Sequence, residues 1–390
     1  MGVKPSTVEG VAVNAEFWRS KRVLITGHTG FKGSWLAIWL QRMGAQIVGL
    51  ALPPPPHSLF ELADVGRHMV SIESDVRDLA SVQQVVDDVQ PEIVFHLAAQ
   101  ALVRASYANP LETYTTNVLG TVHLLEALRN SSCCRVVVNV TTDKCYLNRE
   151  TLRGYTEDDA LGGIDPYSSS KACAEIVTSA YRNSFFHACA STKAAIATAR
   201  AGNVIGGGDF AVDRLIPDIL RAVDEGSELS VRSPDAIRPW QHVLEPLSGY
   251  LTLAEHLWTH PREYAEAWNF GPDADDARPV RWIVERLATL FDGKLSWRID
   301  APAILHEARL LTLDNSKART RLGWRPRWDL SEGLKAVASW HNGTELGEDP
   351  RTVTIQQILA FEKTKTGSRG ARAIAQRVDS SKWPTHDGAW

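Results

Sequence analysis

Residues 141–146 read TTDKCY, directly after the apolar run VVVNV at 136–140. Thr142, Asp143 and Lys144 thus set a hydroxyl, an acid and a base side by side where a buried strand should end. On a solvated loop such an Asp-Lys pair would contribute little. At a strand end facing a cleft, it can give and take protons at neighbouring atoms of one ligand. A second constellation follows at 167–171, YSSSK, where Tyr167 and Lys171 stand four apart and so share one face of a helix. A free tyrosine, with a pKa of about 10, is a poor base at neutral pH. A nearby ammonium stabilises the phenolate, which can then take the proton of a hydroxyl while hydride leaves the same carbon.

Hydride needs an acceptor, and the N-terminal segment offers its cradle. The β-branched run RVLIT at 22–26 leads into GHTGFKG, in which Gly27, Gly30 and Gly33 give the spacing GxxGxxG. Such glycines let backbone pass close to a pyrophosphate, and the N-terminus of the following helix then faces the anion. The spacing is a variant of GxGxxG and by itself also fits a tight turn; its place in the first strand–helix unit favours the dinucleotide reading. The second strand ends in Leu50, Ala51 and Leu52. It offers neither a carboxylate for a ribose 2′-hydroxyl nor an arginine for a 2′-phosphate, so this position does not choose between NAD and NADP. Asp75, after the third strand, can meet the adenine side or serve as a turn aspartate.

These groups need a scaffold, and the hydrophobic pattern supplies one. Short strands at 22–26, 46–52, within HMVSIESDVRD, at 92–99 and at 135–142 alternate with helices over 32–43, 79–90 and about 110–130. The fold class is therefore α/β, a Rossmann-type doubly wound parallel sheet with a smaller mixed α/β substrate-binding lobe. Residues 20–212 are expected to form mainly the dinucleotide-binding domain and 213–342 mainly the lobe, with strand exchange between them. A polar tail is expected over 343–390, apart from a helix at 352–363. The chain has 390 residues, 44% hydrophobic and 23% charged, and a net charge of −4, which does not favour nucleic acid or an anionic membrane as partner. Five cysteines, Cys133, Cys134, Cys145, Cys173 and Cys189, form neither a CxxC pair nor a metal-ligand spacing, so no metal site is expected and a reducing compartment fits. No stretch reaches the length of a membrane span, and a cytoplasmic location is expected. Thirteen tryptophans read as core, with a few available to a flat ligand.

The stretches TGHTGFKG, SDVRD, HLAAQ, TNVLGTVHLLEA, TTD, DPYSSSK, RAGNVIGGGD, RPWQHV and LGWRP resemble the extended short-chain dehydrogenase/reductases that act on nucleotide sugars, the NAD-dependent epimerase/dehydratase family. The likeness runs through residues 20–342. It implies NAD as cofactor, held by Gly27, His28, Gly30, Phe31, Gly33, Asp75, Val76, Ala98, Ala99, Gln100, Asn117, Tyr167 and Lys171. His28 stands where many relatives carry glycine or alanine, so crowding of the pyrophosphate and weaker NAD retention are expected. Thr142 would hydrogen-bond the sugar 4-hydroxyl, Tyr167 would be the base, and Lys171 would tune Tyr167 and hold the nicotinamide ribose.

Most sugar-nucleotide dehydratases follow the hydroxyl residue with Asp-Glu. Asp143-Lys144, together with RLIPDI and RPWQHVLEPLSGY, is similar to the branch acting on CDP-glucose. The expected reaction oxidises C4, removes the C5 proton, expels the C6 hydroxyl as water and returns hydride to C6. Asp143 is expected as acid and Lys144 as base. Arg104, Asn203, Arg214, Arg238 and Glu307 are the expected substrate contacts, Arg238 as the diphosphate clamp. Another nucleotide sugar would suit the same chemistry. An epimerase or reductase would leave Asp143-Lys144 without a task, and a non-catalytic dinucleotide sensor need not keep Thr142, Tyr167 and Lys171 together. A homodimer paired through helices 110–130 and 167–187 is usual in the family.

Overall fold

The computed structural model describes residues 12–186, 194–300 and 308–364. Its centre is a seven-stranded sheet. In chain order the elements are β1 (Arg22–Thr26), α1 (Phe31–Arg42), β2 (Gln46–Ala51), β3 (Val70–Glu73), α2 (Leu79–Val89), β4 (Ile93–His96), α3 (Gly120–Arg129), β5 (Val136–Val140), α4 (Pro166–Tyr181), β6 (Ala195–Arg200), α5 (Leu215–Glu225), α6 (Leu244–Thr259), β7 (Ala267–Asn269), α7 (Val280–Leu290), α8 (Leu330–Glu345) and α9 (Pro350–Lys363). The spatial order of strands is β3-β2-β1-β4-β5-β6-β7, and every neighbouring pair is parallel. Val23 of β1 faces Ile47 on one side and Ile93 on the other. The order reverses between β1 and β4, so the crevice beyond their carboxyl ends is where a ligand belongs.

Helices cover both sheet faces, which explains why β5 and β6 are buried along their whole length and read as near-continuous apolar runs. On one face Trp35, Leu36 and Trp39 of α1 pack with Leu247, Tyr250 and Leu251 of α6. On the other, Val82 and Val86 of α2 meet Leu124 and Leu128 of α3 and Ile196 of β6. Trp18, Trp35, Trp39, Trp268 and Trp340 are all fully buried core residues. A second core joins Ile219 of α5, Leu229, Ile283 and Leu287 of α7 and Leu334 of α8 into the smaller lobe.

Residues beyond 212 contribute to both parts of the fold: α6 is buried in the main core, and β7 pairs with β6 as the last strand of the large sheet. One expectation needs correction, since no polar tail begins at 343. Helix α8 runs on to Glu345, and α9 buries Val353, Ile358 and Phe361 on the face turned to α1, where Phe361 meets Trp39 edge-on. Polar Thr354 and Gln357 are buried with them, bonded to Trp340 Nε1 at 3.0 Å and to Ala336 O at 2.8 Å, so the buried face is not purely apolar. Residues 365–390 lie outside the described residues. The expected helix over 110–130 is interrupted by a π-helical turn, Thr115–Leu119, which carries Asn117.

Candidate active site

The strand end after β5 and the start of α4 converge at the sheet's carboxyl edge. Thr142 caps a single 3-10 turn, Asp143–Cys145, its Oγ1 accepting the Lys144 amide at 3.4 Å. Asp165 caps α4 by accepting the Ser168 amide at 2.9 Å, and Pro166 fills the first turn, where no amide hydrogen is needed. This aims Tyr167 and Lys171 at β5, and Lys171 Nζ donates to Val140 O at 3.3 Å. Asp143 is wholly buried. Its Oδ1 accepts Thr142 Oγ1 at 2.9 Å and Lys144 Nζ at 3.1 Å, while Lys144 also reaches Asn203 Oδ1 at 3.4 Å. Asp143 Oδ2 has no hydrogen-bond partner and lies against Gly202, where a Cβ would come within 2.1 Å.

Burial moves three of the ionisable groups here toward their neutral forms. Burial pushes the Tyr167 phenol up to about 12, against the pull of its hydrogen bond with the Thr142 hydroxyl. Burial lowers Lys171 to about 8, although Glu175 works the other way. Lys32, one residue beyond Phe31 in the glycine motif, also reaches the site. Its Nζ lies 3.4 Å from the Tyr250 hydroxyl, and burial, then Lys171 and Arg214, bring it down to about 7.

Beneath the cluster lies an ion pair that the sequence reading missed. Glu175, one turn after Lys171, accepts Thr141 Oγ1 at 2.5 Å, Thr198 Oγ1 at 2.7 Å and Arg200 Nη2 at 2.8 Å. Burial would raise its carboxyl, but Arg200 and the two hydroxyls outweigh this and hold it below the usual range. Arg200 passes the link on to the Tyr146 hydroxyl at 2.8 Å, so TTDKCY is fastened from below on both sides of its reactive residues. The four-residue step from Lys171 to Glu175 was the available signal.

The glycine loop fits a pyrophosphate. Gly27 has φ +75°, and a Cβ there would sit 2.7 Å from Ala98 N; one on Gly33 would sit 2.2 Å from Gly27 O. The first helical bond of α1 runs from Ser34 N to Gly30 O at 2.9 Å, so the amides of Phe31, Lys32 and Gly33 have no acceptor within the helix. Phe31 packs its ring against Gly206.

His28 does not crowd this cradle, contrary to expectation. Its ring turns under the loop onto Gly49, which has no side chain to obstruct it, and Nε2 pairs with Ser71 Oγ at 2.7 Å. Burial lowers it to about 4.

Several other expected cofactor residues are engaged within the protein. Asp75 forms a turn, accepting the Arg77 amide at 2.8 Å and its guanidinium at 2.5 and 2.8 Å. Val76 turns its side chain into the core against Gly120. Ala98 donates its amide to Thr26 Oγ1 at 3.3 Å, and the adjoining Ala99 lies on the same loop over β4. Gln100 spends its side chain on Leu102 and Thr113. Asn117 ties this loop to the catalytic helix, bonding Gln100 N at 2.8 Å, Gln100 O at 3.0 Å and Ser170 Oγ at 2.8 Å.

The expected substrate residues divide. Asn203, at φ +30°, joins Lys144, and Arg214 adds positive potential at Tyr167 and Lys32 while pairing with Asp209 at 3.0 Å. Arg104 lies further out, paired with Asp213. Arg238 is buried, and its Nη1 donates to Ile237 O at 2.9 Å. Glu307 lies outside the described residues.

A parallel sheet with a glycine loop after its first strand and a Thr, Tyr and Lys trio after its fifth defines a Rossmann-type, nicotinamide-dependent class. The chain matches the NAD dependent epimerase/dehydratase family over residues 23–269. It is 51% identical to the CDP-glucose 4,6-dehydratase of Salmonella typhimurium, over 91% of this chain and 99% of that protein. It is 25% identical to the dTDP-glucose 4,6-dehydratase of the same organism, over 82% of this chain and 92% of the relative. Among solved structures it resembles the UDP-glucose 4-epimerase of Thermotoga maritima (TM-score 0.71, 21% identity, 83% of this chain and 99% of that one). It is likewise similar to the dTDP-glucose 4,6-dehydratase of Bacillus anthracis in complex with NAD (TM-score 0.69, 21% identity, 85% and 100%). The chain belongs to the NAD dependent epimerase/dehydratase family.

Proposed function

We propose that the protein is a sugar-nucleotide 4,6-dehydratase that converts CDP-D-glucose to CDP-4-dehydro-6-deoxy-D-glucose and water. The observation that carries this reading is the Asp143–Lys144 pair, 3.1 Å apart and joined to Thr142 on the same sheet edge as Tyr167 and Lys171. An epimerase or reductase has no use for that pair. The cytidine nucleotide is favoured by the 51% identity to the Salmonella enzyme, carried over nearly the full length of both chains.

The glycine loop and Lys171 would hold NAD, which supplies a hydride acceptor at C4 and a donor at C6. Tyr167 takes the 4-hydroxyl proton with Thr142 hydrogen-bonded to the same oxygen. Loss of hydride makes C4 a ketone, which acidifies the C5 proton, and Lys144 takes that proton. Asp143 gives its proton to the C6 hydroxyl, which leaves as water. The C5 proton then returns from Lys144 as C6 becomes a methyl group. Asp143 Oδ2 is the oxygen available to the leaving hydroxyl, since Oδ1 is already occupied.

The test is a mass spectrum of CDP-glucose after incubation with enzyme and NAD, with GDP-mannose, dTDP-glucose and UDP-glucose beside it. The expected outcome is loss of one water from CDP-glucose; loss from another sugar nucleotide instead would overturn the substrate, and none from any would overturn the reaction. In Lys144→Ala, oxidation should proceed and elimination stall, so reduced nicotinamide accumulates. Full turnover in that variant would remove Lys144 as the base.

The enzyme is proposed to act as a homodimer. Leu111, Leu119, Ile176 and Phe185 are exposed apolar residues on the helical segments 110–129 and 166–186. They are the apolar residues that packing of a second copy on these segments would cover. Among the described residues no helix is long and apolar enough to cross a membrane.

A further inference from the structure

Asp213 stands between two arginines from distant parts of the chain. Its Oδ1 lies 2.9 Å from Arg104 Nη1 and 3.7 Å from Arg232 Nη1. Arg104 belongs to the short helix Val103–Ala108, whose Ser106 Oγ accepts the Tyr167 amide at 3.1 Å. Arg232 follows the strand Glu228–Val231 of the smaller lobe. The neighbouring Arg214 exerts its charge on Tyr167 and Lys32. A carboxylate thus bridges two cations from the two halves of the cleft, one residue from a third cation that acts on the catalytic groups.

Two further observations suggest that the bridge can open. The Asp213 backbone has φ +60°, in the left-handed region that aspartate enters more readily than most residues, so its loop needs no other anchor in the ion pair. All three side chains are partly exposed, 45% for Arg104, 28% for Arg232 and 41% for Asp213, so water can replace either contact. Such ion pairs are weak. A guanidinium, however, receives phosphate oxygens as readily as carboxylate oxygens.

We infer that Asp213 is an internal counter-ion that occupies a diphosphate-binding arginine pair, Arg104 and Arg232, until the sugar nucleotide displaces it. This rests on the sugar-nucleotide reading above. The device sets specificity through charge. A ligand must bring enough negative charge to replace the carboxylate, so an anionic diphosphate opens the bridge and an uncharged sugar does not. Asp213 touches no reacting atom, and its effect falls on binding.

The experiment compares wild type with Asp213→Asn, and with Asp213→Gly as a second variant suited to positive φ. KM for CDP-glucose and calorimetric binding of inorganic pyrophosphate and inorganic phosphate are measured for each. Removing the carboxylate is expected to lower KM and the pyrophosphate Kd by about 2–5-fold, the range that a partly exposed ion pair supports. Phosphate that displaces the same carboxylate should gain by a similar factor, because the cost removed is common to both anions. In the Arg104→Gln, Arg232→Gln background the gain should vanish, because a pairwise coupling disappears when its partners are gone. Unchanged or weakened binding in both Asp213 variants, or the same gain without the arginines, would overturn the inference. Failure of wild type to dehydrate any sugar nucleotide would instead strike the reading beneath it, and pyrophosphate binding would still decide the role of Asp213.

Discussion

Gly202 shows how tightly a single residue is held in this site. Its missing side chain leaves room for Asp143 Oδ2, which a Cβ would approach to 2.1 Å. Since Asp143 is wholly buried and anchored at Oδ1 by Thr142 and Lys144, it cannot move aside without breaking both contacts. Gly202→Ala should therefore lower kcat by about 10- to 100-fold through misplacement of the acid. Cofactor content should stay that of wild type, because the glycine loop lies on another strand. Steady-state kinetics with a cofactor assay check this; an alanine variant with normal kcat would mean that Asp143 Oδ2 has no part in the reaction. Lys32 was equally hidden in the sequence. It looked like one more residue of a loop motif, yet its ammonium reaches the Tyr250 hydroxyl.

At the scale of elements, two helical segments do more than one task. The π-helical turn Thr115–Leu119 turns Asn117 inward to bind the loop after β4 and Ser170 of the catalytic helix. The same segments expose Leu111 and Leu119, and Ile176 of α4 is 56% exposed. A charge placed in a face buried between two copies has to be desolvated and costs several kcal/mol. Ile176→Glu should therefore convert the dimer to monomer. Light scattering should read about one chain mass of 43.0 kDa for the variant and twice that for wild type. A wild-type protein that is monomeric at high concentration would remove this interface.

The whole molecule carries a pH liability in its core. His28, His96 and His242 are buried and held neutral, at about 4, about 3 and about 3. His96 is locked between Thr26 Oγ1 at 2.7 Å and Thr121 Oγ1 at 3.2 Å. Each folded value lies below the unfolded value of about 6.5, so the unfolded chain binds more protons once the pH falls below that point. Stability from these histidines is complete above about 6.5 and falls by about 1.4 kcal/mol per histidine for each unit below it, until the folded value is reached. Glu255, raised to about 7 by burial, acts in the opposite sense over part of the range. Glu157 and Asp218, also raised by burial, work with Glu255, but the three histidines outweigh them, so the melting temperature should drop between about pH 6.5 and 5. Thermal melts across that range check it, and a flat profile would contradict the burial of these rings.

The chemistry was legible in sequence because it is written in short spacings. A four-residue step fixes two side chains on one helix face, so Tyr167 and Lys171 could be paired without coordinates. A glycine triplet between a strand and a helix announces the anion site, and TTDK at the end of an apolar run places an acid and a base in the crevice. Spacing cannot say which way a lone side chain turns or what it meets across the fold. Thus His28, read as crowding the loop, lies beneath it on Gly49, and α9, expected as a helix, buries Phe361 beside Trp39, a partner that no spacing names. The Glu175–Arg200 pair, the Asp213 bridge and the fit of Asp143 against Gly202 join residues far apart in the chain. Sequence alone pointed to the reaction class, through the family resemblance that its short motifs carry, because local spacing follows from neighbouring residues. Only the tertiary structure decided the partners of each charge, because these depend on long-range packing of strands that meet only once the sheet has formed.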